Sequence, residues 1–167
     1  MTFPLGPVEA ALLFGLLVAC ATDLTQWRIP NALNLVLLVT GLVLNALAGH
    51  PSVALIGLVA AFAVHFPLWV LGVQKGGDAK LMMALGTLAG WSEMLETTFW
   101  KLFLLIPIGL AVLAAKGRTQ NLLLALRSFG KTLPTPAENP SLTYMPFAPV
   151  IALGWVLAHS TTWLEVF

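Results

Sequence analysis

Val53-Ala-Leu-Ile-Gly-Leu-Val-Ala-Ala-Phe-Ala-Val-His65-Phe-Pro-Leu-Trp-Val-Leu-Gly-Val73 is the stretch on which the fold turns. It contains no Asp, Glu, Lys or Arg. At about 1.5 Å per residue, a helix of this length spans the ~30 Å hydrocarbon core of a bilayer. The whole chain of 167 residues has the same character, with 59% hydrophobic and 9% charged residues and a mean hydropathy of +0.92. A soluble domain carries about 25% charged residues. So few charges cannot clothe a water-facing surface, which excludes a soluble enzyme, a disordered tail and a cytosolic binding module. A formal net charge of +1 offers no pull toward nucleic acid. Cys20 stands alone, so neither an internal disulfide nor a cysteine-built metal cluster is available. No Lys or Arg precedes the first apolar run, unlike a secretory signal peptide.

Outward from this run the chain divides into six apolar segments: Leu5–Thr22, Ala32–Ala48, Val53–Val73, Ala79–Leu95, Phe99–Ala115 and Met145–Trp163. The predicted fold is all-α, a polytopic membrane helix bundle of about six transmembrane helices forming one domain over residues 1–167. The uninterrupted apolar part of the fourth segment, Leu81–Trp91, needs Ser92–Leu95 to complete a crossing, and a re-entrant or interfacial segment is the other reading. Arg28, Lys75, Lys80, Lys116, Arg118, Arg127 and Lys131 fall on one side of this arrangement, and only Lys101 on the other. The positive-inside rule then places the loops at 23–31, 74–80 and 116–144 in the cytoplasm and both termini outside. Within loop 116–144, Asn121–Lys131 mixes apolar and basic residues and suits the anionic inner leaflet. Pro134, Pro136 and Pro140 make the rest irregular.

The chain has only two aspartates, Asp23 at the end of the first segment and Asp78 at the start of the fourth. The expected topology puts both on the cytoplasmic rim. A charge at a transmembrane helix centre costs about 2.5–3.5 kcal/mol, less near the rim, so a carboxyl retained there is a functional candidate. Two carboxyls brought close do not both ionise. The charged one takes a proton from water, while the protonated one polarises a carbonyl and later protonates the leaving amine. That is the chemistry of peptide-bond hydrolysis. Two charges merely flanking helices at headgroup level is the other reading, and topology leaves both open.

Asp23-Leu-Thr-Gln-Trp-Arg-Ile-Pro-Asn31 and Lys75-Gly-Gly-Asp78-Ala-Lys80-Leu-Met-Met-Ala-Leu-Gly86, with Gly90 following, resemble the two signature segments of the prepilin peptidases. These are membrane aspartic proteases of the GxGD type. In that family an Asp followed by Ile-Pro-Asn, and a Gly-x-Gly-Asp-x-Lys, carry the catalytic carboxylates. Met145-Pro-Phe-Ala-Pro149 is similar to the segment that opens the family's last helix. The resemblance runs from Asp23 to Gly154. It implies that Asp23 and Asp78 are catalytic, that no cofactor is needed, and that the protein sits in the prokaryotic cytoplasmic membrane. It also implies a prepilin-like substrate, of type IV or tight-adherence pili, whose leader ends in a basic residue and Gly before a hydrophobic helix. Lys75 stands where the family has its first glycine. The paired Cys-x-x-Cys domain that bifunctional members use for methylation is absent, so the expectation is a short, peptidase-only form. That form is similar to the tight-adherence and archaeal preflagellin peptidases.

Around the aspartates, Gly76 and Gly77 allow φ > 0 and close approach of a substrate backbone, or simply make a turn. Pro30 suits a first helical turn and Asn31 a helix cap that shapes the Asp23 loop, although plain punctuation explains both. Lys80 either meets substrate or anchors the helix at the cytoplasmic surface, the simpler role. His65 is expected to be a neutral imidazole hydrogen-bonded within the bundle, with Pro67 kinking its helix. No partner stands at metal-ligand spacing from it, so no metal site is expected. Ser52, Ser92 and Ser160 fall on the side away from both aspartates, against a serine triad. The competing class is a non-enzymatic transporter or pilus-assembly subunit in which Asp23 and Asp78 bind or relay a cation or proton. Only His65, Asn45 and a few hydroxyls would continue its polar path.

Overall fold

The computed structural model describes residues 6–115 and 146–161. Among them are five helices and no strand: α1 Pro7–Gln26, α2 Asn31–Leu47, α3 Pro51–Val70, α4 Gly76–Ala115 and α5 Ala148–Thr161. Two unbroken helices, α1 and α3, are long and apolar enough to cross a membrane, and so is the Gly76–Val112 part of α4 when taken as one helix across Gly90. The expected loop 116–144, with its amphipathic segment, lies outside the described residues.

Helices α1 and α3 each open on a proline, whose missing N–H would have no partner in a first turn. Each of the first three helices then buries one narrow stripe. In α1 it includes Leu12, Gly15, Leu16, Ala19 and Asp23; in α2, Asn34, Leu37, Gly41 and Asn45; in α3, Ala54, Gly57, Ala61 and His65. The spacing of three and four residues is that of one helix face. Many of the large side chains point the other way, with Phe14, Val59, Phe62 and Trp69 all exposed. Lipid is as apolar as leucine, so membrane helices gain little by hiding large side chains. They associate instead through small residues that let backbones close up. A Cβ on Gly57 would run into the Gly86 carbonyl, and one on Gly41 would sit 2.7 Å from the Thr87 backbone. Between them these two glycines let residues 86–88 of α4 lie directly against α2 and α3.

Gly90 interrupts α4 with φ 87° and ψ 179°, and the chain reverses there. Residues 86–90 lie beside Gly57 and Val53, near the start of α3. Further along, Thr98 reaches His65 and Lys101 reaches Gln74, beyond the end of α3. The arms 76–89 and 91–115 therefore run antiparallel, joined by a single residue. The sequence pattern puts this boundary at 96–98, yet Leu95–Phe99 is continuous helix. Apolar periodicity does not register a one-residue break.

A helix ending at residue 89 leaves its last carbonyls without intrahelical donors. Asn45 of α2 supplies them, its Nδ2 donating to the carbonyls of Thr87 at 2.9 Å and Leu88 at 3.1 Å. Asn45 is thus a cap delivered from a neighbouring helix rather than a step in a polar path. Asn45→Leu keeps the branching of the side chain and strands buried carbonyls, at a cost of about 1–3 kcal/mol. Thermal unfolding in detergent reads this as a lowered midpoint. An unchanged midpoint would remove the capping role.

Candidate active site

The last turn of α1 and the first turn of α4 meet at one end of the bundle. Asp23 and Asp78 are each 2% exposed. Both line one cavity of about 140 Å³, together with Trp27, Arg28, Ile29, Asn31, Lys75 and Gly77. The cavity has room for several waters. The two residues, 55 positions apart in the chain, thus share a single solvent-sized space.

Each carboxylate is fixed by a backbone N–H at a helix start. Asp23 lies at the carbonyl end of α1, a poor place for negative charge. Its Oδ2 accepts the Ala148 N–H at 3.0 Å. That N–H opens α5 and has no partner within its own helix, so the positive end of α5 offsets the negative end of α1. Trp27, in the left-handed conformation at φ 55°, closes α1 by donating its N–H to the Asp23 carbonyl. Asp78 is the third residue of α4. Its Oδ2 accepts the Lys75 N–H at 3.3 Å, while the Lys75 carbonyl accepts the Ala79 N–H at 3.1 Å. This is the back-folded carboxylate of a capping box.

The smaller residues divide between those that touch the cavity and those that support it. Gly77 lines it, and its carbonyl accepts from Asn34 Nδ2 at 3.1 Å. Neither Gly76 nor Gly77 has the positive φ that sequence reasoning allowed; among the described glycines only Gly49, Gly72 and Gly90 do. Their smallness serves packing instead: a Cβ on Gly76 would lie 3.2 Å from Trp69 Nε1, and one on Gly77 3.4 Å from Ile29 Cβ. Pro30 is the residue before α2 and Asn31 its first residue, with no side-chain cap. The Asn31 side chain turns to α4, where its Oδ1 accepts from Lys80 Nζ at 2.9 Å. Lys80 is exposed and does not line the cavity. Lys80→Met is expected to change stability by no more than about 0.5 kcal/mol. A larger drop in the unfolding midpoint would show that the Asn31 contact holds the site together.

A second polar cluster adjoins Asp78, and the sequence pattern missed it. Lys101 Nζ donates to Gln74 Oε1 at 3.0 Å. Gln74 Nε2 faces the His65 carbonyl at 2.9 Å and His65 Nδ1 at 3.1 Å, and His65 Nε2 lies 3.1 Å from Thr98 Oγ1. Thr98 in turn donates to the Met94 carbonyl at 2.8 Å. With Gln74 donating to Nδ1, this order assigns the Nε2–H tautomer to His65. The expected hydrogen-bonded histidine is there, but Lys101 does not sit at the far end. It joins the aspartate end. The far end has its own tie, Glu93 Oε1 accepting from Trp155 Nε1 at 2.7 Å and His159 Nδ1 at 3.1 Å. Among the described residues no group of three or more His, Cys, Asp or Glu is placed to hold a metal.

Apolar-faced helices packed through small residues, with a two-carboxyl cavity at one end, define a membrane-type helical protein with an acid-pair site. Residues 10–110 match the model of the type IV leader peptidase family, and the chain belongs to that family. It is 31% identical to the prepilin leader peptidase/N-methyltransferase of Aeromonas hydrophila over 163 residues, covering 90% of this chain and 49% of that protein. The protein of the same description from Aeromonas salmonicida (strain A449) is also 31% identical, with 48% of its length covered. The chain thus spans about half the length of the curated relatives it matches. No solved structure matches it.

Proposed function

We propose that the protein is an intramembrane aspartic endopeptidase that removes the leader from prepilin-like precursors at the cytoplasmic face of the membrane. The observation that carries this reading is the cavity shared by Asp23 and Asp78, each carboxylate held by a helix-start N–H. Family membership supports the same reading. In the proposed topology the chain crosses a prokaryotic cytoplasmic membrane six times, both arms of α4 included, with the termini outside. The aspartate end then faces the cytoplasm.

In the proposed reaction a water in the cavity sits between the carboxyls. The ionised aspartate takes one of its protons as the oxygen attacks the scissile carbonyl, and the protonated aspartate donates a hydrogen bond to the developing oxyanion. Collapse of the tetrahedral intermediate breaks the C–N bond. The proton taken from water passes to the leaving amine, and the pair returns to one shared proton. Carboxyls and water suffice, so no cofactor is required. The hydrophobic helix after the cleavage point stays in lipid and docks laterally, while Asn31, Gly76 and Gly77 border the path of the extended segment. Pro30 fixes the chain between Asp23 and α2, and Lys80 braces Asn31. A transporter would leave polar groups free across the bundle, whereas Asn45 and His65 are engaged in caps and networks.

The test is co-expression with prepilin-like precursors from the same genome, followed by mass-spectrometric mapping of the new N-terminus. Cleavage after a glycine ahead of the hydrophobic helix is the expected result. Intact precursor together with ion flux in reconstituted vesicles would transfer the protein to the transporter class.

A further inference from the structure

We propose that Lys101 is a positioning residue for the aspartate pair: its buried ammonium, held on Gln74, faces Asp78 across a shared cavity and compensates the negative charge the pair carries. The inference rests on the peptidase reading above. Lys101 is 4% exposed, although a lysine near a membrane rim ordinarily extends its stem to bring the ammonium into water. This one turns inward. An ammonium taken out of water needs opposite charge as well as hydrogen bonds. The hydrogen bond goes to a neutral group, Gln74 Oε1, at 3.0 Å. The opposite charge is Asp78, which lines the same small cavity with Lys101, Gln74 and Phe147 and attracts the ammonium.

The placement is over-determined. Gln74 is fixed from α3 through its bonds to the His65 ring and carbonyl. The Lys101 backbone is fixed from α5, where a Cβ on Gly154 would lie 3.1 Å from the Lys101 nitrogen and 3.0 Å from the Thr97 carbonyl. Two helices thus aim this side chain from both sides. Asp23 bears on Asp78 from α1 and Lys75 from the α3–α4 connection. With two carboxyls in a buried site, a fixed cation keeps one of them ionised while the other holds the proton. Lys101 acts through Asp78 and does not touch the cavity in which the substrate carbonyl sits.

The experiment compares the full chain with Lys101→Met and Lys101→Arg on a precursor that the wild type cuts. Lys101→Met is expected to lower kcat at least about 10-fold with KM unchanged within about twofold, and Lys101→Arg to restore most of it. A second readout needs no activity. In a double-mutant cycle of Lys101→Met with Asp78→Asn, thermal midpoints should couple by about 3 °C or more, because removing both charges costs less than removing either. Wild-type kcat in Lys101→Met, a loss confined to KM, or additive midpoints would overturn the inference, since a mere strut between helices is indifferent to charge at Asp78. A wild type that cuts no precursor brings down the peptidase reading instead, and an Asp78→Asn variant that still cuts brings down the two-carboxyl mechanism. The midpoint cycle reads the charge pairing separately from that failure.

Discussion

Asp23→Asn and Asp78→Asn are each expected to lower leader cleavage by roughly 10²–10⁴-fold while the protein stays folded. The magnitude is that of one general acid or base removed from the transition state. The folding half of the expectation follows from what each carboxylate holds. Asp23 accepts one N–H from Ala148 and Asp78 one from Lys75, and an asparagine carbonyl oxygen accepts either as well. The amide removes the shuttled proton and leaves the shape of the cavity alone. In the proposed mechanism the two residues act as a unit, so the double variant should be little worse than either single one. Initial rates of precursor cleavage in isolated membranes, with unfolding midpoints measured on the same preparations, separate chemistry from folding. Cleavage above about a tenth of the wild-type rate in either variant would dismiss the two-carboxyl mechanism.

Gly90→Ala is expected to destabilise the protein by about 1–3 kcal/mol, a large effect for one methyl group. At φ 87° and ψ 179° the residue occupies a region closed to side chains, and the reversal of α4 depends on it. Its Cβ would also come within 3.1 Å of Val53 Cγ1. Gly109→Ala supplies the contrast. That glycine is helical, and a Cβ there meets nothing within 4 Å. The same substitution should leave stability unchanged or raise it by up to about 1 kcal/mol. Unfolding in detergent reads both. Equal midpoints for the two variants would mean that the left-handed reversal is not what fixes the arms.

The aspartates were legible because a carboxylate in a nearly charge-free sequence stands out. The inward stripes went unread, although small and polar residues recur at helical spacing through α2 and α3. The reversal at Gly90 was not legible, because Ala89 and Trp91 continue the apolar pattern on both sides of it. Lys101 was assigned to the wrong end by counting apolar residues per span. The available signal was an ionisable residue inside an apolar run, which marks a functional candidate by the same rule that picked out the aspartates. Two supports have no sequence signature at all. The donor to Asp23 is a backbone N–H at Ala148, and the cap on Thr87 and Leu88 comes from Asn45, more than forty positions away.

Gly86 is meshed with Gly57, and Asp78 lies eight residues before it on the same straight arm. The meshed glycine therefore acts as a fixed mark on a ruler, and the helical pitch decides where the carboxylate falls. One residue inserted between them turns the carboxylate by about 100° and slides it about 1.5 Å, off the cavity. Four inserted residues nearly recover its facing, yet carry it about 6 Å along the axis. No insertion restores both coordinates. The interval from Asp78 to Gly86 is thus constrained in length as tightly as the aspartate is in identity. The Gly49 turn, where an added Cβ meets nothing within 4 Å, has no such constraint.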